Sequence, residues 1–341
     1  MTKYLSLPLL SLILFTSSCA NQNKHEIEVS SFSQCGTLHA VIRPIPVPIL
    51  LPRYMGILDN YLFVYKERER NLFTLFHLND GTYIQDGGMR GQGPNEFNLL
   101  DTRSFNTEAD CFSVLEVGSN QLKTVKYDGS ELTTVHSKTI FEQGISNNGF
   151  YLLADSMYLT LGRLGENNEY CLLNGRTGEL IEKGEYPQWT NISRKADTPP
   201  LFVTYLKTCV VHPDKKKFAA FYGRFKRIRI YDSNINLLQD IDVKVSPYFT
   251  KFEEQVQNQP IYYIGQPFAT EHHIYALCVN SNTGIEQYEL QIWDWDGHPV
   301  GCYQFDRKLS MMAVSLKYKK IYALDSNIEN ELYIYDLPLL E

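Results

Sequence analysis

Six times along its 341 residues the chain repeats one pattern: an apolar strand, a polar hairpin, a second strand and a tight turn. The first strand of each pair reads "YLFVYKE", "CFSVLEV", "MYLTLGR", "KKFAAFYG", "HIYALCV" and "KIYALDS", beginning near residues 61, 111, 157, 216, 273 and 320. Its partners are "NLFTLFHL", "QLKTVKY", "EYCLLNG", "RIRIYDS", "YELQIWDW" and "ELYIYDL". After the partner comes a turn rich in Asp, Asn and Gly, at "LNDGTY", "KYDGSE", "NGRTGE", "DSNINL" and "DWDGHP". Such residues supply the positive backbone angles of tight hairpins. Alternation of period two within the strands, and no long helical periodicity, make the chain all-β.

Repetition at about 50 residues means units that cannot bury their own faces and must stack on neighbours. Four strands per unit and six units predict a six-bladed β-propeller, with a β-sandwich or irregular solenoid as the competing arrangements. The last unit tests this, because its third strand is followed only by "PLLE". A fourth strand has to come from elsewhere. Residues 37–42, "TLHAVI", precede the first unit and are predicted to fill that slot, so that the N-terminal strand closes the ring and removes an open edge.

Lys3 and an apolar run from Leu5 to Phe15 open the chain, followed by Thr16, Ser17, Ser18 and Cys19. The run is too short for a permanent span and has the form of a secretory leader. Small residues directly before a cysteine resemble a bacterial lipoprotein cleavage site. The expected organisation is therefore a lipoprotein signal peptide over 1–18, a lipidated tether over 19–33 carrying the anchor on Cys19, and the propeller over 34–341. Two or three acyl chains would hold the protein on a membrane. The expected address is the cell envelope, at the outer membrane facing the periplasm, with surface exposure as an alternative.

The formal charge is −7 with no clustered basic patch, which argues against nucleic acid. Beyond Cys19 lie Cys35, Cys111, Cys171, Cys209, Cys278 and Cys302. Export permits disulfides, yet the long intervals do not form a staple framework, and no C-x-x-C pair exists for zinc. Free thiols and disulfides both remain open at this point.

Between the first two units lies "GMRGQGPNEF", residues 88–97. It matches neither phosphate-binding glycine motif and no helix follows it. Gly91 and Gly93 are expected to turn the backbone sharply and Pro94 to stiffen the bend. The stretch resembles the Gly-x-Gly-Pro-Gly-Glu-Phe signature of the TolB-like six-bladed β-propeller lipoproteins of Bacteroidetes type, with Asn95 in place of the last glycine. Asparagine also tolerates left-handed angles. With the leader and the repeats, the resemblance spans nearly the whole chain; it implies a fold and an address, and carries no established chemistry with it.

No H-E-x-x-H or G-x-S-x-G motif occurs. His272 and His273 would point to opposite faces of a strand, a poor geometry for joint ligation. "DWDGH", with Trp293 and Asp294, lacks the rest of a calcium loop and reads as a hairpin turn. Catalytic residues, cofactor and metal are accordingly not assigned. In a propeller the inter-blade links and the hairpins between second and third strands share one face. That face is expected to carry Arg90, Gln92, Asn95 and Glu96, with Trp189, Arg163 and Arg224 from other links and hairpins. Such groups combine paired hydrogen bonds with an apolar platform and suit a glycan, a peptide or a protein loop. The expected function is a membrane-tethered, non-catalytic binding or scaffold protein that engages an envelope protein or polymer. The alternative is a metal-dependent hydrolase or lactonase with a divalent cation held in the central channel. Oligomeric state is left open.

Overall fold

Leu62, Phe63, Val64 and Tyr65 are all buried, as are Phe218 through Tyr222. A sheet with one face in water would bury alternate residues; here both faces are covered, because each sheet is sandwiched between two others. The computed structural model describes residues 26–108, 110–140, 149–154, 156–161, 168–189, 199–245, 261–282 and 285–340. Three N-terminal strands come first: β1 (Glu26–Val29), β2 (Gln34–Leu38) and β3 (Val41–Pro44). Blade one is β4 (Pro52–Leu58), β5 (Tyr61–Lys66), β6 (Asn71–His77) and β7 (Tyr83–Met89). Blade two is β8 (Asn106–Thr107), β9 (Cys111–Glu116), β10 (Gln121–Tyr127) and β11 (Leu132–Thr139). Blade three is β12 (Phe150–Ala154), β13 (Met157–Leu161), β14 (Asn168–Asn174) and β15 (Leu180–Glu185). A short helix, α1 (Leu201–Thr204), precedes blade four, which is β16 (Lys207–Val211), β17 (Lys217–Tyr222), β18 (Arg227–Asp232) and β19 (Leu237–Val243). Blade five is β20 (Tyr263–Ala269), β21 (His273–Asn282), β22 (Ile285–Asp294) and β23 (Pro299–Phe305). Blade six contributes β24 (Met311–Ser315), β25 (Lys320–Leu324) and β26 (Glu331–Asp336) from its own unit and takes β3 as its fourth strand.

The fold is a six-bladed β-propeller. Closure occurs by antiparallel pairing of β3 on β26, with Tyr333 opposite Ile42 and Ile334 opposite Val41. This corrects the expected closing segment of 37–42: only its last two residues lie in the closing strand, which runs on to Pro44. Thr37 and Leu38 belong instead to β2, which adds a fifth, parallel strand outside blade five. Similarly β1, which falls within the tether expected over 19–33, lies parallel on β19 of blade four, Val29 opposite Val243. Alternating Glu and Ile in "EIEV" resembles a solvated linker, yet Val29 packs into the core between blades four and five. The three strands thus form a strap across the outer edges of blades four, five and six.

Buried side chains gather in six apolar clusters, one at each seam between blades. The seam of blades one and two is an aromatic stack, with Phe63 on Phe112 at 4.6 Å and Tyr54 on Phe105 at 4.2 Å between ring centres. Among the described residues the leanest seam lies between blades two and three, around Leu115, Phe150, Tyr158 and Leu173.

The recurring turns follow one plan. Asp128, Asn174, Asp232 and Asp294 each accept backbone N–H groups two to four residues onward through a side-chain oxygen, and a left-handed residue completes the bend: Gly129, Gly178, Ile235 and Gly297. The amides of Glu131 and Ser130 hold the Asp128 carboxyl down at about 2.

If β3 is the element that closes the ring, deleting residues 26–44 is expected to lower the melting temperature by roughly 10 °C or more and to cause association through the exposed edge of β26. Deleting only 26–38 should retain the parent's elution volume and most of its stability. Size-exclusion chromatography and thermal melts compare the two; equal losses would contradict the assignment.

Candidate functional site

The stretch 88–97 is a self-closed loop. Arg90 and Phe97 form an isolated bridge, Gly91 N–H donates to the Phe97 carbonyl at 3.0 Å, and Glu96 N–H donates to the Gly93 carbonyl at 3.0 Å. The Glu96 carboxylate folds back to accept Gly93 N–H at 2.7 Å. A Cβ at 91 would stand 2.0 Å from that carboxylate oxygen, so a larger residue there would push the Glu96 side chain aside. Neither Gly91 nor Gly93 is left-handed; that angle belongs to Gly88, with φ +65 packed under Phe73. Asn95 is not left-handed either, and its side-chain oxygen accepts Thr134 N–H at 3.0 Å, tying the loop to β11. The Arg90 guanidinium donates to the Glu67 carbonyl. Of the four loop residues placed on the candidate face, Gln92 makes none of these ties and is exposed.

Trp189 does not join that group. Its ring lies 4.9 Å from both the Arg227 and Arg229 guanidinium carbons, its N–H reaches Asp240 at 3.3 Å, and Tyr222 meets it edge-on at 4.7 Å. It is part of the seam between blades three and four. Arg224 is half-buried in the hairpin between β17 and β18. Arg163 lies outside the described residues.

Sequence reading missed a set of buried charges close to the hairpins between second and third strands. Lys66 is fully buried between Glu69 at 2.6 Å and Asp86 at 2.9 Å. Lys123 donates to Glu116 at 2.9 Å and to the Glu96 carbonyl at 2.7 Å, so it also pins the loop of residues 88–97. Burial pushes the Glu116 carboxyl up, but hydrogen bonds from Ser119, Lys123 and Asn98 outweigh it and the net shift is down. The largest cluster centres on Glu169, fully buried, which meets Lys207 at 2.9 Å and accepts from the Tyr222 hydroxyl at 2.5 Å. Arg229 links this cluster to Asp240 at 2.8 Å. A charged residue inside an otherwise buried strand, such as Glu169 in "NEYCLLN", was the available signal. Of these pairs, Glu169–Lys207 joins blade three to blade four.

Open space lies on the axis and also beside blades three and four, where Trp189, Arg227, Arg229 and Asp240 line a pocket of about 800 Å³. The inner strands line two chambers that share Tyr54 and Gln266. The lower chamber, about 390 Å³, has Phe105, Tyr151 and Phe268 as walls and His212, Lys215 and Glu108 at its mouth. The upper chamber, about 680 Å³, opens on the loop face and is lined by Arg53, Arg103, Leu206, Thr208, Ile261 and Met312 among others. At its rim Leu206 is 44% exposed and Ile261 51% exposed, while the Thr208 hydroxyl has no hydrogen-bond partner among the described residues. Burial raises the Tyr54 phenol far above its ordinary range. Among the described residues no group of three or more His, Cys, Asp or Glu comes together to hold a metal ion. His272 and His273 sit with ring centres 6.3 Å apart where the chain passes from β20 to β21.

No family model matches the sequence, and no curated protein does. Solved structures do. A member of the DUF4221 family from Bacteroides vulgatus superposes with a TM-score of 0.56 at 12% identity, over 88% of this chain and 98% of that one. A protein from Bacteroides fragilis, provisionally described as exported, gives 0.52 at 10% identity, over 92% and 99%. At such identities the likeness is one of fold.

The Glu169 cluster generates a test. Lys207→Met strands a buried carboxylate and is expected to cost about 3–5 kcal/mol in urea unfolding. Adding Glu169→Gln should recover much of that loss, and a double variant no more stable than Lys207→Met would show that the pair does not act as a unit.

Proposed function

We propose that this protein is an exported, lipid-anchored propeller of the TolB-like kind that binds a partner without transforming it, and that the partner enters the upper chamber. The observation that carries this reading is the chamber mouth itself. Leu206 and Ile261 expose apolar surface around a cavity of about 680 Å³. An apolar cavity with a few polar groups is the usual form of a recognition site. Here the polar groups are the Thr208 hydroxyl and the arginines Arg53 and Arg103. The volume accommodates one or two large side chains, so a peptide or protein loop from the envelope fits better than a long glycan, which would need an extended groove. In the loop of residues 88–97 the Glu96 carboxylate folds back on Gly93 N–H, while Arg90, Gln92 and Asn95 stay exposed. Support for the address comes from the leader ending at Cys19 and from the fold shared with a Bacteroides protein described as exported.

Two measurements test the reading. A photo-crosslinking amino acid at Ile261 is expected to yield a discrete adduct in living cells, while the same group at Leu180 on β15 yields none; identical patterns from both positions would count against a channel-mouth site. For the anchor, a radiolabelled fatty acid should enter the wild-type chain and be absent from Cys19→Ala. Equal labelling of the two would remove Cys19 as the lipid attachment.

A further inference from the structure

β2 and β23 run parallel, and their register sets Cys35 directly opposite Cys302. Paired residues on adjacent strands project to the same side of the sheet. Neighbouring strands lie about 4.8 Å apart, inside the roughly 4.4–6.8 Å range of Cα separations that a disulfide spans. In no other strand pair among the described residues are two cysteines opposed. Cys278 is on β21, two strands from β23 and hence about 10 Å away, too far to compete. Cys111, Cys171, Cys209 and Cys278 are all buried, whereas Cys35 is exposed and Cys302 half-buried.

We propose that Cys35 and Cys302 form a disulfide that fastens the N-terminal strap to blade five. Both thiols are reduced in the structure: Cys35 Sγ faces the Phe32 carbonyl at 3.8 Å and Cys302 Sγ donates to the Glu289 carboxylate at 3.4 Å. Rotation to another staggered χ1 well turns each toward the other. The oxidant is an external disulfide, either a small-molecule disulfide or a dithiol oxidoreductase. The accessible Cys35 thiolate attacks it, forming a mixed disulfide and expelling one thiolate. Cys302 then passes its proton to Glu289, attacks the Cys35 sulfur and expels the second thiolate. Two electrons leave the protein, two thiols of the oxidant are produced, and one S–S bond forms. Burial and the neighbouring Glu289 carboxylate raise the Cys302 thiol above its ordinary range, so Cys302 acts as the second, resolving thiol.

The consequence is mechanical. A chain held by its N-terminus transmits any pull into β1 and β2 before it reaches β3. A covalent bond at Cys35 diverts that pull into blade five and protects the closing strand. In the cell the bond depends on the exported address proposed above; its geometry does not.

The purified full chain is treated with oxidised glutathione, the remaining thiols are alkylated, and peptides are mapped without reduction. The expected product is a Cys35–Cys302 cross-linked peptide, absent from Cys35→Ser and Cys302→Ser. It should be accompanied by a rise of melting temperature of roughly 5 °C or more over the reduced protein. A glutathione adduct that stays on Cys35, or both thiols recovered alkylated, would overturn the pairing. Alkylating intact cells before lysis separates the two claims. The cross-linked peptide supports its formation in the cell; a bond that forms in vitro but not there refutes the exported address and leaves the pairing standing.

Discussion

A sheet covered on both faces has no stable existence alone, and every feature of this protein answers that constraint. Each blade buries its second and third strands against two neighbours, so removing one blade would expose two seams at once. A ring satisfies all six seams only if it closes, and the last unit is one strand short. β3 supplies that strand from the far end of the chain, through four register pairs on β26. The strap goes further than closure requires: β1 and β2 also cover the outer edges of β19 and β23, leaving two fewer open edges for another chain to pair with.

Much of this could be read from the repeat. The second strands begin where the pattern put them, at Tyr61, Cys111, Met157, His273 and Lys320, with Lys217 one residue later than expected. The capped turns at Asp128, Asn174, Asp232 and Asp294 were visible because their chemistry is local: a short side-chain oxygen and a residue able to turn left-handed. What was hidden depends on partners distant in sequence. Glu26–Val29 looks like linker until Asp240–Val243 is beside it. Residues 37–42 were a sound guess at the closing segment, but propensity cannot tell Leu38 in β2 from Val41 in β3 when both border the same short polar link. Trp189 was expected on the loop face, but that Arg227 and Arg229 would lie against its ring was not legible.

The loop of residues 88–97 shows how the residues of a motif hold a local structure together. Its glycines make room for a carboxylate, its glutamate caps the loop, its asparagine reaches β11, and its phenylalanine enters the aromatic seam beside Phe73 at 5.5 Å. In the proposed reading, the partner meets residues with no motif at all. Leu206, Ile261 and Thr208 come from blades four and five and meet only because the inner strands converge on the axis.

Hydrogen–deuterium exchange followed peptide by peptide tests ring closure most directly. Amides of Val41 and Arg43 should exchange as slowly as those of Leu332 and Ile334 opposite them, opening only with the whole molecule. Exchange of the N-terminal segment within seconds, while blade six stays protected, would contradict a propeller sealed by its own beginning.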